Sequence, residues 1–305
     1  MKLKLVQIQT TSTCNGKCII CPYKGSWFDT NPGRMTDELF QKILNDVNDY
    51  DPKFSGVFCP YLCNEPFADR MLAEKASMIA NQLYKPQLEI STNLTMASNA
   101  QIDKLLKVYE NNDWRGRMMI SHHGTNKVTY ERIMGLPYGK ALNKMKYLIK
   151  KAEGRLPIWI HTAVSSRDQT YEVSTPAAIY RHWMDFLIDN DLPTNKITVH
   201  PLQFHSRAGN VPTNDWDYSK EVRQIGPEHP FDCPRIHGNL HVLYTGEVVL
   251  CCCDYQKQTV MGDLSKQTIK EFFDSEAWKA TVQMVKGEIN SSRDFICKQC
   301  QWPGA

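Results

Sequence analysis

Cys14, Cys18 and Cys21 place three thiols in one short loop, with three and then two residues between them. Thiolates are soft ligands, suited to zinc and to iron–sulfur clusters. A loop of this length can fold its sulfurs onto one centre. Structural zinc takes four ligands, usually from two paired units. Three thiolates leave one corner of the centre without a protein donor, and in a four-iron cluster that corner is an iron open to another molecule. A zinc knuckle or a redox-inert loop uses the same residues. Of the eleven cysteines, none falls between Cys63 and Cys233. That split suggests two metal centres, one at each end of the chain.

The elements that must position these thiols are legible as alternating patterns. The apolar alternation of Leu3–Gln9 reads as a strand leading directly into the cysteine loop. Further strands are expected at Ser55–Cys59, Gln87–Ser91, Arg117–Ser121, Ile158–Ala163 and Lys196–Pro201. Helices are expected at Asp37–Asp49, Ala68–Leu83, Asn99–Tyr109, Lys140–Ala152 and Thr175–Asn190, the first capped by Thr36. Strands alternating with helices predict an α/β fold of parallel βα units. In βα barrels the chemistry sits at the C-terminal ends of the strands, where the cysteine loop would lie. After the breaker cluster 207–212 the pattern changes. Leu240–Tyr244 and Glu247–Cys251 flank Thr245-Gly246 as a hairpin, and Ile269–Phe273 and Trp278–Lys286 read as helices.

The chain has 305 residues, 42% of them hydrophobic and 23% charged, with a net charge of +3. These are globular proportions, and the charge is too small to argue for nucleic acid. No apolar stretch approaches the roughly 18 residues of a membrane span, and Met1-Lys2-Leu3-Lys4 lacks the apolar core of a signal peptide. The expectation is a soluble, cytoplasmic protein, where thiols stay reduced and serve as ligands rather than disulfides.

The cysteine spacing directly after a first strand resembles the signature of the radical S-adenosylmethionine superfamily. That resemblance implies a partial (β/α)6 barrel, a [4Fe–4S] cluster on Cys14, Cys18 and Cys21, and S-adenosyl-L-methionine chelated to the open iron. Asn64-Glu65-Pro66 resembles the family's Gly-Glu-Pro element, which holds the methionine amino group, with Asn64 in place of a glycine. A plain turn before a helix would look the same. Ser91 and Asn93, at the end of the third strand, would reach the ribose, or else cap a helix or an Asx turn. Ser121, ending the fourth strand beside His122 and His123, would contact adenosine or substrate. Tyr23 sits where the family usually carries an aromatic near adenine, although aromatics in loops are often packing.

Cys233, Cys251, Cys297 and Cys300 resemble the ligand set of the SPASM/Twitch auxiliary-cluster domain, implying a second, fully ligated [4Fe–4S] cluster. Zinc would also accept four thiolates. Residues 1–212 would then be the barrel and 213–305 a small hairpin-plus-helix domain. The motifs are similar to the 2-deoxy-scyllo-inosamine dehydrogenase type and to neomycin epimerase. Arg207 matches a rim arginine of that group facing substrate. Cys253 stands where the related dehydrogenase carries an acid. On a strand it would share the side of Cys251, and a thiol there can return a hydrogen atom to a carbon radical. The preferred outcome is therefore epimerisation of a small polar substrate with Cys253 as hydrogen donor. Alcohol dehydrogenation and modification of a ribosomal peptide are the alternatives within the family. A non-catalytic iron–sulfur or zinc protein is the alternative outside it. Sugar, nucleoside and peptide substrates stay open. The partner implied is a flavodoxin- or ferredoxin-type electron donor, with no nucleic acid and no membrane.

Overall fold

The computed structural model describes residues 1–163, 175–202, 206–211, 228 and 230–301. The strands are β1 Leu5–Ile8, β2 Val57–Cys59, β3 Gln87–Thr92, β4 Gly116–Ser121, β5 Ile158–Ala163, β6 Ile197–Leu202, β7 Asn239–Val242, β8 Glu247–Val249 and β9 Val260–Asp263. The helices are α1 Trp27–Thr30, α2 Asp37–Tyr50, α3 Leu72–Gln82, α4 Asn99–Asn111, α5 Lys127–Met134, α6 Tyr138–Ala152, α7 Pro176–Asp189, α8 Ile269–Asp274 and α9 Glu276–Lys286.

Strands β1 to β6 lie in chain order and pair in parallel, as βα units require. The expected six-stranded partial barrel is therefore present. Alternation sets its two faces. Val6, Ile8, Phe58, Leu88, Ile90, Met118, Ile120, Ile158 and Ile160 are buried in the core beneath the helices. The intervening residues, among them Gln7, Glu89, Ser91, Arg117, Ser121 and His161, occupy the opposite face.

Helix starts follow the expected chemistry. The Thr36 hydroxyl accepts from the Leu39 N–H to begin α2, and Ser98 forms a reciprocal capping box with Gln101 at α4. The expected helix Ala68–Leu83 is instead a short 3-10 turn, Pro66–Ala68, followed by α3. Buried Asp69 ends that turn and pairs with Lys75 Nζ at 2.8 Å.

The C-terminal hairpin continues the barrel sheet. β7 pairs in parallel with the edge of β1, Leu5 opposite Asn239 through Ile8 opposite Val242. β8 and β9 then add antiparallel strands. The expected hairpin thus stands, with α1, α5 and β9 as elements the sequence patterns did not mark. The 212/213 division lies outside the described residues. Among them, no helix is long and apolar enough to cross a membrane.

Candidate active site

The cysteine triad occupies the loop after β1, at the C-terminal edge of the parallel strands, and three neighbours fix its shape. α5 lies along it: the Lys17 N–H donates to Met134 O at 3.0 Å and the Ile19 N–H to Ile133 O at 2.9 Å. This approach needs Gly135, which ends α5 at φ 63° and whose Cβ would stand 2.9 Å from Lys17 Cβ. Within the loop, the Cys14 N–H donates to the Tyr23 hydroxyl at 3.1 Å. From the β3 loop, Asn93 Nδ2 donates to Asn15 Oδ1 at 3.0 Å, and Asn15 Nδ2 donates to Thr95 Oγ1 at 2.8 Å.

Gly16 tests whether the loop fits a cluster. A Cβ there would lie 3.2 Å from Cys18 Sγ and 3.6 Å from Cys14 Sγ. Both sulfurs therefore converge on the small space that a side chain at residue 16 would fill. Burial first, then the Glu65 carboxylate, pushes the Cys14 thiol up to about 12. A buried thiol this reluctant to ionise needs a metal cation to become a ligand. Soft donors around a space kept clear by glycine fit an iron–sulfur group.

Glu65 is buried at 2% exposure. The Thr92 hydroxyl donates to its Oε1 at 2.5 Å and the Asn93 N–H to its Oε2 at 2.9 Å. Burial raises its carboxyl to about 7, against these hydrogen bonds. Its neighbour Asn64 accepts the Leu62 N–H at Oδ1, 2.9 Å, while Nδ2 is buried without a partner. A buried amide donor beside a buried carboxyl fits a ligand carrying charged amino and carboxylate groups.

Ser91 and Ser121 stand half-buried on the face opposite the helices, one residue from buried Ile90 and Ile120. The two histidines after Ser121 separate. His122 is buried against Tyr130 of α5 and Trp183 of α7, at ring distances of 4.2 and 4.9 Å, and burial lowers it to about 3. His123 is buried too; burial first, then His161, His122 and Arg207, lowers it to about 3. Among the described residues, no group of three metal-binding side chains includes either histidine. Cys59 is buried with its Sγ 3.5 Å from Glu89, and Cys63 is buried with its Sγ 3.8 Å from Cys252 O. Both are packing thiols.

A second cavity is lined by Cys233, Cys251, Cys253, Cys297, Cys300 and Arg235. It contains the four expected auxiliary cysteines and one more. β8 ends at Val249, so strand alternation does not govern residues 251–253. Their three sulfurs instead converge within 4.8 Å of one another in a turn. Arg235 enters this cavity, its Nη1 donating to Cys251 Sγ at 2.8 Å and lying 3.9 Å from Cys253 Sγ. Cys252 first, with Cys251 and Cys253, raises the guanidinium above its ordinary value and outweighs burial.

Arg207 lies where the two cysteine sites meet. Burial alone would lower it, but Tyr255, Cys253, Cys21 and Cys252 together raise it. Its turn is fastened on both sides: Asn210 Nδ2 donates to Cys253 O at 3.1 Å, and the Ser206 N–H donates to Gln301 Oε1 at 2.9 Å. Sequence reasoning missed Arg235, although it follows Cys233 by two residues. It also missed Tyr255, whose hydroxyl lies 3.6 Å from Cys21 Sγ, and no local pattern marks that contact.

Residues 233–301 match the SPASM family, described as an iron–sulfur cluster-binding domain. No curated protein sequence matches the chain. Solved structures share its fold, BtrN, SuiB and anSMEcpe among them. BtrN in complex with AdoMet and 2-DOIA has 15% identity and a TM-score of 0.56, over 94% of this chain and 89% of that one. SuiB of Streptococcus suis bound to S-adenosylmethionine has 12% identity and a TM-score of 0.60, over 98% and 72%. The anSMEcpe protein with bound AdoMet has 17% identity and a TM-score of 0.58, over 99% and 84%. The chain therefore has the fold of the radical S-adenosylmethionine enzymes that carry a SPASM domain.

Proposed function

We propose that the chain is a radical S-adenosylmethionine enzyme with one auxiliary cluster, and that it epimerises a small polar substrate. One observation carries the reading: the turn that gathers the sulfurs of Cys251, Cys252 and Cys253 reaches the three-cysteine loop, the Tyr255 hydroxyl standing 3.6 Å from Cys21 Sγ. Cys14, Cys18 and Cys21 would hold the first [4Fe–4S] cluster. Cys233, Cys251, Cys297 and Cys300 would hold the second, within a C-terminal unit spanning 213–305 after a barrel spanning 1–212. When bound, the first cluster would supply one electron to the sulfonium, giving methionine and a 5′-deoxyadenosyl radical.

The chain's own residues bind and orient. Glu65 and Asn64 would receive the methionine amino and carboxylate groups. Ser91 and Asn93 would meet the ribose, and Ser121 and the Tyr23 ring the adenosine. Arg207 would hold a hydroxyl or carboxylate of the substrate. Once the 5′-deoxyadenosyl radical has taken a hydrogen atom from the substrate carbon, Cys253 would give its sulfur-bound hydrogen atom to that carbon from the opposite face, inverting the centre. The sulfur radical left on Cys253 would return to the thiol by taking one electron, supplied by the external donor by way of the auxiliary cluster, and one solvent proton. Asp254 is committed elsewhere, because its carboxylate accepts the Gln258 and Thr259 N–H groups at 2.7 and 2.8 Å. That leaves the neighbouring thiols as the hydrogen carriers.

A second reading rests on Cys253 lining the auxiliary cavity. As a cluster ligand it would have no hydrogen to give, and the outcome would be dehydrogenation of an alcohol carbon. The known complexes of BtrN with 2-DOIA and of SuiB with the precursor peptide SuiA illustrate two substrate classes on this fold. A flavodoxin- or ferredoxin-type protein would deliver the electron in the cytoplasm.

The test is anaerobic turnover in deuterium oxide with wild type and Cys253→Ala. Epimerisation predicts one solvent deuterium in the wild-type product. The variant should still form 5′-deoxyadenosine but should not invert the substrate. A fully active variant would remove the donor assignment, and absence of 5′-deoxyadenosine from iron-loaded wild type would leave only a binding protein.

A further inference from the structure

Tyr255 lies 234 positions from Cys21 in the chain, yet its hydroxyl stands 3.6 Å from the Cys21 sulfur. Its backbone is held from both sides. The Tyr255 N–H donates to Cys253 O at 2.9 Å, and its carbonyl accepts the Trp27 N–H at 3.2 Å. Its ring meets Phe28 edge-on, with centroids 6.3 Å apart. The residue is thus clamped between α1, just after the first cysteine loop, and the turn that presents Cys251 and Cys253.

This inference rests on the cluster assignment above. A cysteine bound to iron has lost its proton and can only accept. At the Cys21–Tyr255 contact the hydroxyl is then the only group able to donate. We propose that Tyr255 is a positioning residue that donates a hydrogen bond to the Cys21 sulfur of the first cluster and raises that cluster's reduction potential. The sign follows from charge. Reduction adds one electron, sulfur becomes more negative, and a donor stabilises the reduced form more than the oxidised form. Because the donor is fixed to Cys253 through its own backbone, the C-terminal domain would help set the potential of the N-terminal centre.

The experiment is a mediated redox titration of the reconstituted protein, read by electron paramagnetic resonance. The signal followed is the one that changes when AdoMet is added, which separates the first cluster from the auxiliary one. Tyr255→Phe should retain full iron yet show about a tenfold lower ratio of reduced to oxidised cluster at fixed solution potential, about 59 mV for one electron. Tyr244→Phe, which removes a hydroxyl donating to Asn31 O at 3.0 Å, should show no shift. Placing 3,5-difluorotyrosine at residue 255 keeps the ring and strengthens the donor, so it should move the potential upward. That substitution also serves if the phenylalanine variant fails to hold iron. An iron-replete Tyr255→Phe protein with unchanged potential overturns the proposal, as does a fluorinated one. If wild type shows no AdoMet-sensitive signal at all, the cluster assignment falls and the proposal falls with it.

Discussion

Arg235 donates from Nη1 to the sulfur of Cys251 at 2.8 Å, a charge-assisted contact in a cavity lined by five cysteines. Several thiolates gathered in one apolar cavity repel each other, and this guanidinium offsets that charge. Arg235→Met should therefore weaken the second cluster and spare the first. Iron analysis after anaerobic reconstitution should fall from about eight to about four per chain, on the basis of two four-iron clusters. Retention of full iron would show that the arginine is not needed there.

Gly16 gives a complementary test at the first site. Gly16→Ala would put a methyl 3.2 Å from Cys18 Sγ and 3.6 Å from Cys14 Sγ, within the space a cluster needs. The variant should lose the AdoMet-sensitive resonance while keeping auxiliary iron. Its circular dichroism and urea midpoint, measured without metal, should match the wild type, because the loop lies outside the strands.

Much of this was legible in sequence because it is local. The six parallel strands follow from alternation, and the Thr36 cap marks a boundary that depends on neighbouring residues alone. The triad Cys14, Cys18 and Cys21 shows itself by spacing. What escaped depends on distant pairing. Tyr255 meets Cys21 only because β7 docks in parallel on β1 and carries the following turn toward the first loop. The gathering of Cys252 with Cys251 and Cys253 was not legible, because β8 stops at Val249 and a turn replaces the alternation a longer strand would have imposed. The separate fates of His122 and His123 depend on α5 and α7 covering one face of β4, and α5 left no strong pattern.

Glu65 predicts a pH dependence of stability. Its carboxyl rises from 4.5 to about 7 in the fold because it is buried. Between those values the folded chain binds more protons than the unfolded one. The stabilisation is therefore full below 4.5 and is lost as pH rises through 7. Its size is roughly 3 kcal/mol from the shift. Urea titrations of metal-free wild type and Glu65→Gln from pH 4.5 to 8 should converge or cross by about that amount, the wild type losing ground as pH rises. Parallel curves would show that Glu65 titrates normally.

Asp69 and Lys75 test the scaffold beneath that site. Their side chains are 0% and 2% exposed and 2.8 Å apart, and Asp69 also closes the 3-10 turn that follows Glu65. Removing one member leaves the other charge buried, which costs roughly 3–5 kcal/mol. Asp69→Ala should lower unfolding free energy by about that much in urea titration. The double replacement Asp69→Ala with Lys75→Met should recover part of it. A loss below about 1 kcal/mol in the single variant would mean that Arg34, 3.3 Å away, leaves the pair with little weight.

The account turns on a four-iron cluster, held by Cys14, Cys18 and Cys21, whose fourth iron has no protein ligand and is open to an amino-acid ligand. Electron–nuclear double resonance on reduced, anaerobically reconstituted protein with AdoMet carrying nitrogen-15 at its amino group reads that corner directly. The account predicts hyperfine coupling between the cluster and the labelled nitrogen, lost when Cys18 is replaced by Ala. A fully loaded cluster with no coupling, or zinc instead of iron on these three cysteines, would contradict it.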